Sequence, residues 1–226
     1  MEKGVFIVID GVDGSGKATQ TKLLVDRMKQ EGLPIETISF PQYGKKSAGA
    51  LEEYLAGAYG TADEVGPYRA SVLFAVDRFD AAQTIRTWLD GGVNVVADRY
   101  VGSNMGHQGS KINDWEERRA FFTWEQEFEH KLLGIPRPDI NVVLHVPTPV
   151  ARELMRGRES KHGLAKDIHE ANPEHLQKTE DTYLDMVERF DEFKLIECVE
   201  NNSMLPPEII HEKIWELLNN RFNLSK

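Results

Sequence analysis

Gly11-Val12-Asp13-Gly14-Ser15-Gly16-Lys17-Ala18-Thr19 follows directly on an apolar run at residues 5–9. A buried strand that ends in a glycine-rich turn and passes into a helix makes a cradle of backbone N–H groups for phosphate. Lys17 adds a fixed positive charge to that cradle. The spacing matches G-x-x-x-x-G-K throughout, but position 18 is alanine where a hydroxyl would follow, and Thr19 comes one residue late. A second acid–base group, Asp98-Arg99, closes the apolar run 93–97. Ligands of open parallel sheets collect beyond the carboxyl ends of the strands. There Asp98 suits the waters of Mg²⁺ or a substrate group, and Arg99 suits a phosphate gripped through two N–H donors; a purely structural ion pair is the other reading. Phe74 and Arg78 stand four residues apart, on one face of any helix they share. A flat ring beside a planar guanidinium suits a nucleobase, although a core phenylalanine beside a solvated arginine has the same spacing. Arg152, Arg156, Arg158 and Lys161 face only Glu153 and Glu159 over 151–161. Gly157 and Gly163 would let that segment bend, as a lid over a migrating phosphoryl group does.

The elements that must position these groups alternate along the chain. Apolar runs at 5–9, 35–40, 93–97, 140–146 and 193–196 have the composition of strands buried on both faces. Helical spacing occupies 19–31, 47–58, 67–90, 114–133, 148–156, 173–190 and 207–219, several of these ending at glycine with proline beyond. This alternation predicts an α/β fold in which a five-stranded parallel sheet is flanked by helices on both faces. No repeat, low-complexity tract or linker divides the sequence, so one domain over 1–226 is expected.

Composition narrows the function classes. The chain has 226 residues, 40% of them hydrophobic, and a formal net charge of −10. That charge argues against nucleic acid as a partner, and no apolar run approaches membrane-spanning length. The single cysteine, Cys198, allows no internal disulfide and fits a reducing compartment. The first apolar run begins too early to leave room for a signal peptide, so the cytoplasm is expected. The histidines show no metal-ligand spacing, and His162, His169 and His175 are expected to face solvent.

In order and spacing, these features resemble the thymidylate kinase family over nearly the whole chain. The resemblance is carried by the 11–17 loop with Asp13, Phe40-Pro41, Phe74-x-x-x-Arg78, Asp98-Arg99-Tyr100, Gln108-Gly109, Pro138-Asp139 and Arg156-Gly157-Arg158. It implies a P-loop NTPase-like three-layer fold with a mobile lid over about 152–168. It also implies ATP with Mg²⁺ as donor, dTMP as acceptor, dTDP and ADP as products on the way to dTTP, and a homodimer. On that resemblance Gly11, Val12, Asp13, Gly14, Ser15, Gly16, Lys17, Ala18 and Thr19 surround the ATP phosphates, and Arg156 lies against adenine. Lys17, Arg99, Arg152 and Arg158 supply the catalytic charge, with Asp98 reaching the metal through water. On the acceptor side it implies Asp13 at the 3′-hydroxyl, Phe74 on thymine, Arg78 at its O4 and Arg99 at the phosphate. Phe40, Pro41, Ser103, His107 and Gln108 line the same site. The chain departs from the family's pattern at three positions. Ala18 lacks the hydroxyl that reaches Mg²⁺, Tyr43 stands in place of a phosphate-gripping arginine, and His107 stands in place of a Tyr or Phe that screens out ribose. Ala18 and Tyr43 leave open a kinase for another monophosphate such as dUMP, or a catalytically weak nucleotide-binding regulator.

Overall fold

The computed structural model describes residues 3–162 and 173–224, the side chains of 157–162 and 173 excepted. Its centre is strand β1 (Phe6–Gly11), every residue of which is buried. β2 (Ile35–Ser39), β3 (Asn94–Asp98), β4 (Ile140–His145) and β5 (Phe193–Glu197) complete a sheet of order β2-β3-β1-β4-β5, with each neighbouring pair parallel. Strands covered on both sides must be apolar throughout, and Phe6 to Ile9, Val95 to Ala97 and Val142 to Leu144 are all at most 1% exposed. The register sets Ile9 beside Asp98 and Gly11 beside Leu144, so β1 and β4 run about two residues past the end of β3.

Helices cover both faces. α1 (Lys17–Gln30) starts two residues earlier than its apolar spacing suggests, because Gly16 takes a left-handed conformation (φ 89°) and closes the loop on the helix. The expected helix over 47–58 is instead a 3₁₀ turn (Lys46–Ala48) leading into α2 (Gly49–Leu55), and a single turn, α3 (Ala62–Val65), carries a capping box between Thr61 and Glu64. α4 (Pro67–Asp90) keeps its expected bounds, with proline in its first turn. α5 (Val101–Gly109) lies outside the helices expected from spacing and contains Gly102, Gly106 and Gly109. These glycines bring the helix into close contact. A Cβ at Gly106 would lie 2.7 Å from Tyr183 Cζ, and one at Gly102 would lie 2.6 Å from Asp10 Oδ2.

The helix expected over 114–133 is α6 (Trp115–Gln126), opened by an Asp114 cap, and then widens into a π-helical stretch, Glu127–Leu132. α7 (Thr148–His162), α8 (Pro173–Arg189) and α9 (Pro207–Phe222) complete the helices, and β6 (Val199–Glu200) pairs antiparallel with β7 (Ser203–Met204). Residues 163–172, which hold the end of the expected lid (163–168) and His169 beyond it, lie outside the described residues. Of Arg158, Lys161 and His162 only the backbone, in α7, is described.

Candidate active site

Two adjoining features occupy the carboxyl end of the sheet. The first is the 11–17 loop. Gly11, Gly14 and Gly16 have φ of 137°, 82° and 89°. A Cβ at Gly11 would sit 2.6 Å from Leu144 O, and one at Gly14 would sit 2.9 Å from Ala151 O and 3.0 Å from Met155 Cγ. Glycine is therefore required on the inside of the turn, where α7 packs across it. Lys17 is buried and donates to its own loop carbonyls, Gly11 O at 3.1 Å and Val12 O at 2.8 Å. Burial pushes its ammonium down to about 8; the nearby Arg99 adds to this, while Asp13, Asp98 and Asp10 oppose it. Ala18 and Thr19 are both exposed in the first turn of α1.

The second feature is a pocket of roughly 700 Å³ of unfilled space, its mouth included, beside that loop. Every acceptor-side residue singled out from the sequence lines it: Asp13, Phe40, Pro41, Phe74, Arg78, Arg99, Ser103, His107 and Gln108. The peptide joining Phe40 to Pro41 is cis. Arg99 follows β3 with φ 66°, a conformation a non-glycine side chain rarely takes. Its guanidinium spans the pocket. It pairs with Asp13 and reaches His107 Nε2 at 3.1 Å and Ser103 Oγ at 3.4 Å. Because arginine only donates, His107 Nε2 is the acceptor in that contact. Burial works against the Asp13 charge, but Arg99 and Lys17 outweigh it and hold the carboxyl well below the usual range. Arg99 thus pairs with Asp13 rather than with Asp98, whose own carboxylate bonds no described residue. Behind them Asp10 is fully buried; it accepts from Ser103 at 2.5 Å and from Tyr183 at 2.9 Å, and burial raises its pKa.

The far wall of the pocket is polar by design of its neighbours. Arg78 is 2% exposed and forks onto the buried Glu129, Nε to Oε2 at 2.6 Å and Nη2 to Oε1 at 2.5 Å. It is an acid's partner, but a desolvated one. Its Nη1 bonds no described group and is not among the sealed, unpartnered atoms, so it opens on the pocket. Asn104, a residue that sequence reasoning passed over, donates Nδ2 to Glu125 Oε1 at 2.7 Å and to Ser71 O at 3.2 Å. By the same criterion its Oδ1 faces the pocket. Arg78 and Asn104 thus line one pocket with Phe74, whose ring packs edge-on against Tyr54 at 6.3 Å. Glu125 lies beside Glu129 in the same dry layer; burial raises its pKa well above the carboxylate range, and Glu129 raises it further. Gln108 Oε1 accepts from Lys111 Nζ at 2.6 Å, and its Nε2 is sealed without a partner.

Tyr43 is 64% exposed at the pocket mouth, next to Gln42, whose backbone N–H and side-chain amide are held by the buried Asp77. Lys45 donates to Gln42 Oε1 at 2.5 Å. Arg152 and Arg156 are exposed on α7, the helix that crosses the phosphate loop. The start of that helix is anchored by Glu180 of α8, which accepts from Thr148 N at 2.7 Å and from Thr148 Oγ1 at 2.6 Å; His145 bridges Glu180 and Glu197. His175 is half-buried rather than free in solvent. It contacts Ser110, Thr179 and the His107 ring, and burial pushes its pKa down to about 4.

The donor set fits the groups expected of it. The loop presents turned-in amides that a Cβ would block, as a polyphosphate requires. Asp98 is a carboxylate with no described side-chain hydrogen bond at the end of β3, the kind of oxygen ligand that Mg²⁺ takes directly or through water.

Comparison with known proteins follows the same line. Residues 9–214 match the family model described as thymidylate kinase. Over 185 residues, 80% of this chain and 85% of the relative, the sequence is 35% identical to the thymidylate kinase of Mycobacterium tuberculosis H37Rv. It is 29% identical over 158 residues to the human thymidylate kinase, covering 69% of this chain and 66% of that one. The solved thymidylate kinase of Candida albicans superposes with a TM-score of 0.70 at 21% identity, over 99% of this chain and 94% of the other.

Proposed function

We infer that this chain, which belongs to the thymidylate kinase family, transfers the terminal phosphoryl group of ATP to dTMP, giving dTDP and ADP. The observation that carries this reading is the adjacency of two sites of different character. One is a main-chain cradle for a polyphosphate; the other is a pocket with an aromatic ring, a donor–acceptor pair and a buried guanidinium.

A dTMP phosphate oxygen attacks the γ-phosphorus in line, a new P–O bond forms, and the bond to the β-phosphate oxygen breaks with its electrons leaving on ADP. The acceptor is already ionised, so positioning and charge neutralisation carry the catalysis and no general base is required. Arg99 grips the acceptor phosphate and Lys17 moves from its loop carbonyls to the β- and γ-oxygens. Arg152 and Arg158 bring charge from α7, and Arg156 lies against adenine. Asp98 would hold Mg²⁺ through water, Ala18 offering no hydroxyl, and the metal when bound would supply charge neutralisation for the donor phosphates. Asp13 receives the sugar's 3′-hydroxyl, with Phe40, Pro41, Ser103, His107 and Gln108 closing the acceptor pocket around Phe74. Thymine stacks on that ring with O4 at Arg78 Nη1 and N3–H at Asn104 Oδ1.

Neither alternative is favoured. A regulator has no use for a complete acceptor pocket, and a uracil edge differs from a thymine edge only by a methyl, worth about 1–3 kcal/mol in an apolar pocket. We assign the homodimer contact to the outer face of α4, where Tyr68, Val72, Val76 and Phe79 recur at helical spacing with 40–54% of their surface exposed. No described helix is long and apolar enough to cross a membrane, and a lone buried cysteine suits the reducing cytoplasm. Turnover of dTMP, dUMP, dCMP and the ribonucleotide TMP with MgATP tests the assignment: dTMP has the highest kcat/KM, and any other acceptor ranking above it overturns the choice.

A further inference from the structure

Asn104 and Arg78 are the two polar groups that the pocket offers to the edge of a base, and neither is free to choose its orientation. Arg78 is fixed by its fork on Glu129. An asparagine carboxamide, by contrast, is almost symmetrical in shape, and turning it over exchanges an acceptor for a donor at the same place. In one sense it complements a pyrimidine with a protonated N3 and a carbonyl at C4. In the other it complements the bare N3 of cytosine. Its sense is therefore a specificity element, and something behind the pocket must set it.

The structure assigns that role to Glu125: we propose that this residue, which lines no part of the pocket, acts through Asn104 as the positioning residue that selects 3-NH pyrimidines over cytosine. Glu125 Oε1 accepts from Asn104 Nδ2 at 2.7 Å, the shortest of three contacts that bring acceptors to that nitrogen; Ser71 O lies at 3.2 Å and Glu129 Oε1 at 3.5 Å. Turning the amide would set Asn104 Oδ1 against the acceptors Ser71 O and Glu129 Oε1 in a region sealed from water. All three residues of this layer, Asn104, Glu125 and Glu129, are at most 2% exposed.

Charge accounting gives Glu125 its chemical form. Two carboxyls share one guanidinium, and that guanidinium is committed to Glu129 through two hydrogen bonds. A single proton on Glu125, directed at Glu129, removes the like-charge conflict and leaves Oε1 as the acceptor Asn104 needs. Glutamine copies this arrangement, with its carbonyl toward Asn104 and its amide toward Glu129. Methionine fills a similar volume and offers no acceptor.

The inference rests on dTMP occupying this pocket, and the experiment separates the two. Wild type, Glu125→Gln and Glu125→Met are assayed with dTMP and dCMP at saturating MgATP, and with ATP varied at saturating dTMP. Wild type that fails to turn over dTMP overturns the functional reading itself. Given that turnover, the proposal expects Glu125→Gln to keep the wild-type ratio of kcat/KM for dTMP over dCMP. It expects Glu125→Met to lower that ratio at least about tenfold, mainly through KM for dTMP, with KM for ATP unchanged. An unchanged ratio in the methionine variant, or an equal loss with both acceptors and with ATP, overturns it. Should the methionine variant not fold, the wild-type protein decides. The Asn104 side-chain amide protons, identified in NMR spectra by their loss in Asn104→Ala, keep their nuclear Overhauser contacts to the Glu125 side chain when dTMP is added; loss of those contacts would show the amide turning toward the base and refute the proposal.

Discussion

Lys17 is a buried ammonium held for now by the carbonyls of Gly11 and Val12, and its chemistry carries a pH signature. Its pKa is lowered to about 8, chiefly by burial. The charged form is the one that binds phosphate, so charge is lost as pH rises through that value rather than through the ordinary lysine range. We expect kcat/KM for ATP to fall on the alkaline side with an apparent pKa near 8, and kcat at saturating ATP to fall later, since bound phosphate raises the pKa again. A profile of kcat/KM that stays flat through this range would remove Lys17 from its assigned role. At this scale much of the site was legible: the loop by its glycines and lysine, and Phe74 and Arg78 by the family resemblance, since their spacing of four equally fits a core ring beside a solvated arginine. Asn104 and Glu125 were not, because an asparagine between glycines and a glutamate in an acidic run have the composition of a turn and of a solvated helix face.

The elements explain why α5 escaped a reading by propensity. Glycine weakens a helix when nothing is packed against it, yet Gly102, Gly106 and Gly109 are where the helix meets Asp10 and Phe193, Tyr183, and Phe122. Tertiary packing overrides local preference there, and the reward is that Ser103, Asn104, His107 and Gln108 all come to the pocket on one rigid element. Replacing Gly106 by alanine would put Cβ 2.7 Å from Tyr183 Cζ. We expect a loss of about 1–3 kcal/mol in denaturant unfolding, with KM for dTMP raised, because Tyr183 also holds Asp10. A neutral Gly106→Ala would mean that α5 is not pinned by this contact. The π-helical stretch was equally hidden: the sequence predicts one continuous helix over 114–133, and only the fork between Arg78 and Glu129 shows what the widened turn positions.

For the whole molecule, the alternation of apolar runs and helical spacing was enough to predict the parallel sheet, because strands buried on both faces have no polar alternation to confuse with anything else. Strand order was not legible, since it depends on long-range pairing such as Ile35 with Asn94 and Asn141 with Phe193. Association is likewise a property of the surface. The stripe Tyr68, Val72, Val76 and Phe79 lies on the helix that also supplies Phe74 and Arg78, so a partner seated there would stiffen the pocket from behind. Sedimentation should show a dimer for the wild-type chain and a monomer for Val76→Glu combined with Phe79→Arg, with KM for dTMP raised in the monomer. A double variant that remains dimeric would place the contact elsewhere.

A crystal structure with dTMP bound tests the central claim most directly. The account predicts the thymine ring on Phe74, O4 within hydrogen-bond distance of Arg78 Nη1 and N3 within that distance of Asn104 Oδ1. The phosphate is then in the grip of Arg99, facing the loop that ends at Lys17. A base bound outside this pocket, or a phosphate directed away from the loop, would contradict it.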